Sequence, residues 1–117
     1  MSDDSLEQLR RRIAAFAAAR DWDQFHSPKN LAMALIAEAA ELVEHFQWLT
    51  EEQSRMLTPE KRAEVAEELA DILIYLIRAA DKLGVDLIAA AEKKLEINEA
   101  RYPIEKTRGN ARKANEY

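Results

Sequence analysis

The chain has 117 residues, 17 basic against 22 acidic side chains, a net charge of −5, two glycines, three prolines and no cysteine. That length is one domain's worth, enough to bury about two-thirds of its unfolded surface without staples, and the Ala-, Leu- and Glu-rich composition favours an all-α fold. The missing cysteines exclude disulfides and thiolate metal sites and suit a reducing compartment; the acid surplus argues against a nucleic-acid partner; and with no apolar run near 18 residues and no signal-peptide pattern the chain is expected to be cytoplasmic, with no membrane partner.

In chain order, Ser5 followed by Gln8 is a capping-box pattern. Leu6, Leu9, Ile13 and Phe16 then mark the core side of a first helix expected to reach about Arg20. Residues 21–27, DWDQFHS, break the pattern and place Trp22, Phe25 and His26 in a short aromatic linker. Ser27-Pro28 is an N-cap followed by proline at the first helical position, and predicts a second helix to about Trp48. Its apolar stripe is Leu31, Leu35, Leu42 and Phe46, widened by Ile36, Ala39 and Val43. Thr50 with Gln53 predicts one capped turn.

Thr58-Pro59 repeats the helix start, and Gly84 supplies the stop, so residues 60–83 should form one long helix. Val65, Leu69, Ile72, Leu76, Ala79 and Leu83 fall on one stripe, with Ile74 and Ile77 pointing elsewhere, so the run ILIYLI calls for cover on two sides. Four modest helices cannot easily supply the second cover, which predicts a homo-oligomer. Asp86 caps a fourth helix, about Leu87 to Arg101, and Pro103 ends it. The expected organisation is a single domain with a core over 5–103 and a mobile basic tail over 104–117.

Two short patterns carry the chemistry: E-x-x-E at Glu38 and Glu41, and E-x-x-D at Glu68 and Asp71. A spacing of three puts both carboxylates of a pair on neighbouring rungs of one helix face. The turn between them allows the two helices to pack antiparallel, so that four acids converge. Such pairs are common in an acidic chain, Glu41/Glu44 and Glu64/Glu67 being examples. The chosen pairs border apolar stripes, whereas Glu44 and Glu67 rotate toward solvent. Hard oxygen ligands select Mg²⁺ or Mn²⁺ over zinc. A di-iron carboxylate bundle needs E-x-x-H motifs, and none occurs; nor does a Gly-rich phosphate loop.

E-x-x-E followed by E-x-x-D, together with FAAARDWDQFHSPKNLAMALIAEAAELVEHFQW, EELADILIYL and KLEINEARYP, resembles the MazG-like all-α nucleoside triphosphate pyrophosphohydrolases, and among them the dCTP pyrophosphatase branch. The match covers roughly residues 6–103. The resemblance implies a four-helix bundle assembled into a dimer or tetramer, with Glu38, Glu41, Glu68 and Asp71 as ligands of Mg²⁺. It further implies hydrolysis of a nucleoside triphosphate substrate between its α and β phosphates. Glu41 is the candidate acceptor of the attacking water's proton. Trp22, His26 and Trp48 match the branch's aromatic base pocket; Tyr75, one turn beyond Asp71, is placed to close over the sugar; Lys94, Asn98 and Tyr102 match the family's phosphate-contacting positions.

Ile13 stands where animal relatives carry a histidine, a departure that bears on cytosine selectivity. The expected activity is housecleaning of dCTP and related deoxynucleotides. The alternatives are a broad-specificity pyrophosphatase of the same class and a non-catalytic helical oligomerisation module.

Overall fold

The protein is described from a computed structural model covering residues 3–111, with side chains from Ser5 onward. Its described residues are helical and contain no strand: α1 (Asp3–Ala19), a 3-10 turn (Asp23–Phe25), α2 (Pro28–Glu44), α3 (Glu51–Ser54), α4 (Pro59–Leu83), α5 (Leu87–Arg101) and α6 (Ile104–Thr107). Among the described residues, no helix is long and apolar enough to cross a membrane.

The helix ends follow local chemistry. The Ser27 hydroxyl accepts from the Asn30 N–H at 3.1 Å, with Pro28 in the first turn where its missing N–H costs nothing. Thr58 does the same for Lys61 at 3.2 Å ahead of Pro59. Thr50 and Gln53 complete a reciprocal capping box around α3. Gly84, at φ +67°, closes α4 in the left-handed conformation a side chain resists.

Two boundaries differ from the sequence expectation. The first helix begins at Asp3, so Ser5 lies within it rather than capping it. The second helix ends at Glu44, four residues before Trp48, and residues 45–48 turn back through i−3 and i−4 hydrogen bonds. Trp48 therefore stands beyond the helix.

The backbone falls into two compact units, one ending at Val85 and one beginning at Asp86. In the first, α4 packs chiefly along α2 and more lightly against α1. Leu31, Val65, Ile77, Ala17 and Ala80 form its buried core. The expected stripe of α4 is only partly buried. Val65 is buried and Ile72 and Ala79 half-buried, whereas Leu69, Leu76 and Leu83 are exposed. Ile77, assigned to the other side, is 2% exposed. The reason is that more than one neighbour packs on α4: α2 lies along it, α1 meets it more lightly, and Arg10 and Asp23 reach its residues Asp81 and Arg78.

On α2, Leu31 is buried and Leu35, Leu42 and Phe46 half-buried as expected, but Ile36 and Val43 are exposed. On α1 the buried residue is Ala17, with Phe16 half exposed.

The second unit holds α5 and α6. Asp86 caps α5 by accepting from the Ala89 N–H at 3.0 Å. Within the stretch 104–117, Ile104–Thr107 form one helical turn, and residues 112–117 lie outside the described residues.

Candidate active site

The packing of α2 against α4 decides where the acids go. Glu38 and Glu41 share a face of α2, and Glu68 faces them from α4. Carboxylate oxygens of these three residues lie within 4.8 Å of one another. Asp71, one turn along α4 from Glu68, is exposed and stands outside that close group, but its charge acts on Glu38.

Three carboxylates this close cannot all be ionised without something between them. The strain shows at Glu38, whose pKa is pushed up to about 7 from 4.5. The largest cause is sharing of its proton with Glu41. Sharing with Glu68 comes next, then burial and the charges of Glu41 and Asp71. One oxygen of Glu68, Oε2, is buried with no hydrogen-bond partner. A buried carboxylate oxygen without a donor is costly, and a divalent cation is the kind of partner that removes the cost. The donor set, all carboxylate oxygen, suits a hard cation. Observation and chemistry thus fit a metal held by Glu38, Glu41 and Glu68, with Asp71 at its margin.

Beside the cluster, Glu64 is taken up elsewhere. It pairs with Lys61 at 3.2 Å and stands 3.9 Å from Nδ1 of His45, tying the end of α2 to the first turns of α4. Glu44 and Glu67 are exposed, as their position on the helical wheel predicts. Tyr75 lies on α4 one turn past Asp71 and is half-buried.

The aromatic linker is built rather than loose. Asp21 adopts φ +56°, and the Phe25 carbonyl accepts from the Asn30 side chain at 3.0 Å. Trp22 lies edge-on to Phe16 (5.6 Å between centroids) and to His26 (6.2 Å). It keeps 42% of its surface exposed, whereas Trp48 keeps 87%. A tryptophan so open is available to stack on a ligand. Lys94 and Asn98 lie on α5 one turn apart, Lys94 exposed and Asn98 half-buried; Tyr102 is the residue that caps its C-terminus, its N–H bonded to the Asn98 carbonyl at 2.8 Å. These three belong to the second unit.

Sequence reasoning missed Arg78. It is 4% exposed, toward the end of α4, and each guanidinium nitrogen has a partner. Nη2 pairs with Asp23 of the 3-10 turn, Nη1 reaches Asp81 at 3.5 Å, and Nε donates to Nδ1 of His26 at 3.1 Å. Lys82 adds a second contact to Asp23 at 3.0 Å, and Arg10 of α1 reaches Asp81 at 3.0 Å. The signal was available: an arginine inside ILIYLIRAAD is a charge in an apolar run, which requires a partner.

Comparison with known proteins follows the same lines. The family model described as MazG-like matches residues 34–116. Bovine dCTP pyrophosphatase 1 (Bos taurus) is 47% identical over 112 residues, a span of 94% of this chain and 66% of that protein. The human protein of the same name is 46% identical over 116 residues, covering 97% of this chain and 68% of its own length. The chain thus spans about two-thirds of the length of the curated relatives it matches. Among solved structures, a pyrophosphatase from Archaeoglobus fulgidus superposes with a TM-score of 0.81 at 38% identity, covering 85% of this chain and 93% of that one. With the family model matching most of its length and relatives at this identity, the chain belongs to the MazG-like family.

Proposed function

We propose that this chain hydrolyses (deoxy)nucleoside triphosphates, dCTP and related deoxynucleotides foremost, to the nucleoside monophosphate and pyrophosphate, using Mg²⁺ with Mn²⁺ as a substitute. The observation that carries the reading is the carboxylate cluster of Glu38, Glu41 and Glu68, with its shared proton and its unpartnered Glu68 oxygen. The likeness to proteins named dCTP pyrophosphatase 1 supports the substrate class.

When bound, Mg²⁺ neutralises phosphate charge and acidifies a water for in-line attack. The chain's own groups do the rest. Glu38, Glu41, Glu68 and Asp71 would supply the negative charge that holds the cation, and Glu38 would have to be ionised to do so. Glu41, exposed on the rim of the cluster, accepts the water's proton. Trp22 and Trp48 offer exposed rings for base stacking, and His26 offers a polar edge beside Trp22. Tyr75 closes over the sugar; Lys94, Asn98 and Tyr102, which resemble the family's phosphate-contacting positions, are assigned to phosphate. Ile13, half-buried on α1, provides no polar group to the base.

The working form is a homo-oligomer, a tetramer built as a dimer of dimers. Leu69, Leu73, Ile74 and Leu76 remain between 39% and 52% exposed on α4, an apolar surface that a second copy would cover. Its place of action is the cytoplasm.

The test is a panel of dCTP, dTTP, dATP, dGTP and CTP with Mg²⁺, resolving monophosphate and pyrophosphate as products. The reading predicts pyrophosphate release fastest with dCTP. Equal rates for every base would favour a broad-specificity pyrophosphatase, and release of single phosphate would overturn the assigned bond. Light scattering reads the oligomer: a monomeric mass at working concentration contradicts it.

A further inference from the structure

An arginine carries only donors, which makes its contact with a histidine informative. Arg78 Nε donates to His26 Nδ1 at 3.1 Å, so that nitrogen must present a lone pair and the ring proton sits on Nε2, the side turned away from Arg78. We propose that Arg78 is a positioning residue for nucleotide recognition: it locks His26 in the Nε2–H tautomer and fixes the Trp22–His26 linker, so that the linker meets the base with a hydrogen-bond donor.

Three features make the lock firm. The guanidinium is nearly fully buried, hydrogen-bonded at two nitrogens and ion-paired at the third. Asp23 takes Nη2, Asp81 lies 3.5 Å from Nη1 and His26 takes Nε. Moving a buried charge away from such partners is costly. Its carboxylate partners are themselves held, Asp81 by Arg10 from α1 and Asp23 by Lys82. Trp22 in turn packs edge-on against His26 and, more closely, Phe16. Burial and the facing Arg78 cation both lower the pKa of His26, keeping the ring neutral near pH 7.

A fixed N–H donor suits the acceptor edge of a pyrimidine, its ring nitrogen or carbonyl oxygen, whereas the flipped tautomer would offer a lone pair and repel it. The inference rests on the proposed nucleotide substrate for its consequence, but the tautomer is testable without substrate.

The experiment is long-range ¹H–¹⁵N correlation of the two imidazoles in the full chain near pH 7.5, with His26→Gln to assign the signals. A bare Nδ1 and protonated Nε2 at His26 are expected. A protonated Nδ1, or a rapidly exchanging mixture, overturns the proposal. Arg78→Lys keeps the positive charge but loses the fork. It should turn His26 into a mixture of tautomers and raise KM for dCTP about tenfold, the size of one lost hydrogen-bond arrangement, with kcat and Mn²⁺ affinity unchanged. An unchanged KM with a scrambled tautomer overturns the role in recognition. Where Arg78→Lys fails to fold, Asp23→Asn loosens the same anchor and is read identically. Absence of dCTP turnover in the wild type would remove the proposed function while the NMR result still decided the tautomer.

Discussion

The shared proton on Glu38 gives a quantitative handle on the metal site. With its pKa near 7 in the metal-free cluster, Glu38 holds about 0.9 proton at pH 6 and about 0.1 at pH 8. A divalent cation binds the ionised carboxylates, so it must expel that proton. Apparent affinity should therefore fall about tenfold from pH 8 to pH 6, with nearly one proton released per binding event at the lower pH. Titration calorimetry with Mn²⁺ in two buffers of different ionisation enthalpy counts the protons directly. Glu68→Gln removes one of the groups that raise Glu38 and should flatten the pH dependence. The sign for stability is the opposite. The Glu38 pKa is raised on folding, so its contribution is complete below about pH 4.5 and lost as pH rises through 7. The metal-free protein should accordingly melt lower at pH 8 than at pH 5 on this account. Metal binding at pH 6 without proton release would refute the reasoning, because it would mean the three carboxylates do not share a proton at all.

Other outcomes follow from the fold. Leu31→Ala, at the best-buried large side chain, should cost about 2–5 kcal/mol in urea unfolding through the cavity it leaves. Thr58→Ala removes the hydroxyl that caps α4 and should cost about 1 kcal/mol by the same measurement. Gly84→Ala meets no atom within 4 Å, so any loss, about 1 kcal/mol, reflects its φ of +67° alone, and replacement by Asn should lose less. Asp23 is held below the ordinary carboxylate range by Lys82 and Arg78. Its contribution is present above pH 4 and lost as pH falls through its lowered value, so Asp23→Asn should lower the melting temperature at pH 6, by an amount that shrinks as the solution is acidified.

How much of this could be read from the sequence differs by kind of information. The starts of α2, α4 and α5 were legible because Ser27, Thr58 and Asp86 satisfy local donors that no distant residue alters, whereas Ser5 lies inside α1 and does not cap it. The end of α2 was not. No glycine or proline marks it, and the chain turns at His45 with side chains that would equally continue a helix. The spacing and facing of α2 and α4 put Glu38, Glu41 and Glu68 near one another, whereas Asp71, expected to converge with them, stands outside the close group, and Glu41 is exposed rather than at a buried edge. The burial pattern of α4 was misread, since periodicity records which residues are apolar and not which neighbour arrives. Leu69 and Leu76 share a stripe with Val65 yet stay 52% and 41% exposed, while Ile77 is covered. Arg78 illustrates the hardest case. Its need for partners was visible in ILIYLIRAAD, but Asp23 lies 55 residues away and His26 lies 52, and only the folded chain shows who supplies them.

The claim on which the enzyme reading stands is that acids from α2 and α4 jointly grip a divalent cation. Electron paramagnetic resonance of Mn²⁺ titrated into the wild type and into Glu38→Gln/Glu68→Gln reads this without any substrate. The account predicts saturable binding by the wild type, lost in the double variant while its helical circular dichroism is kept. A folded double variant that binds Mn²⁺ as the wild type does would contradict it.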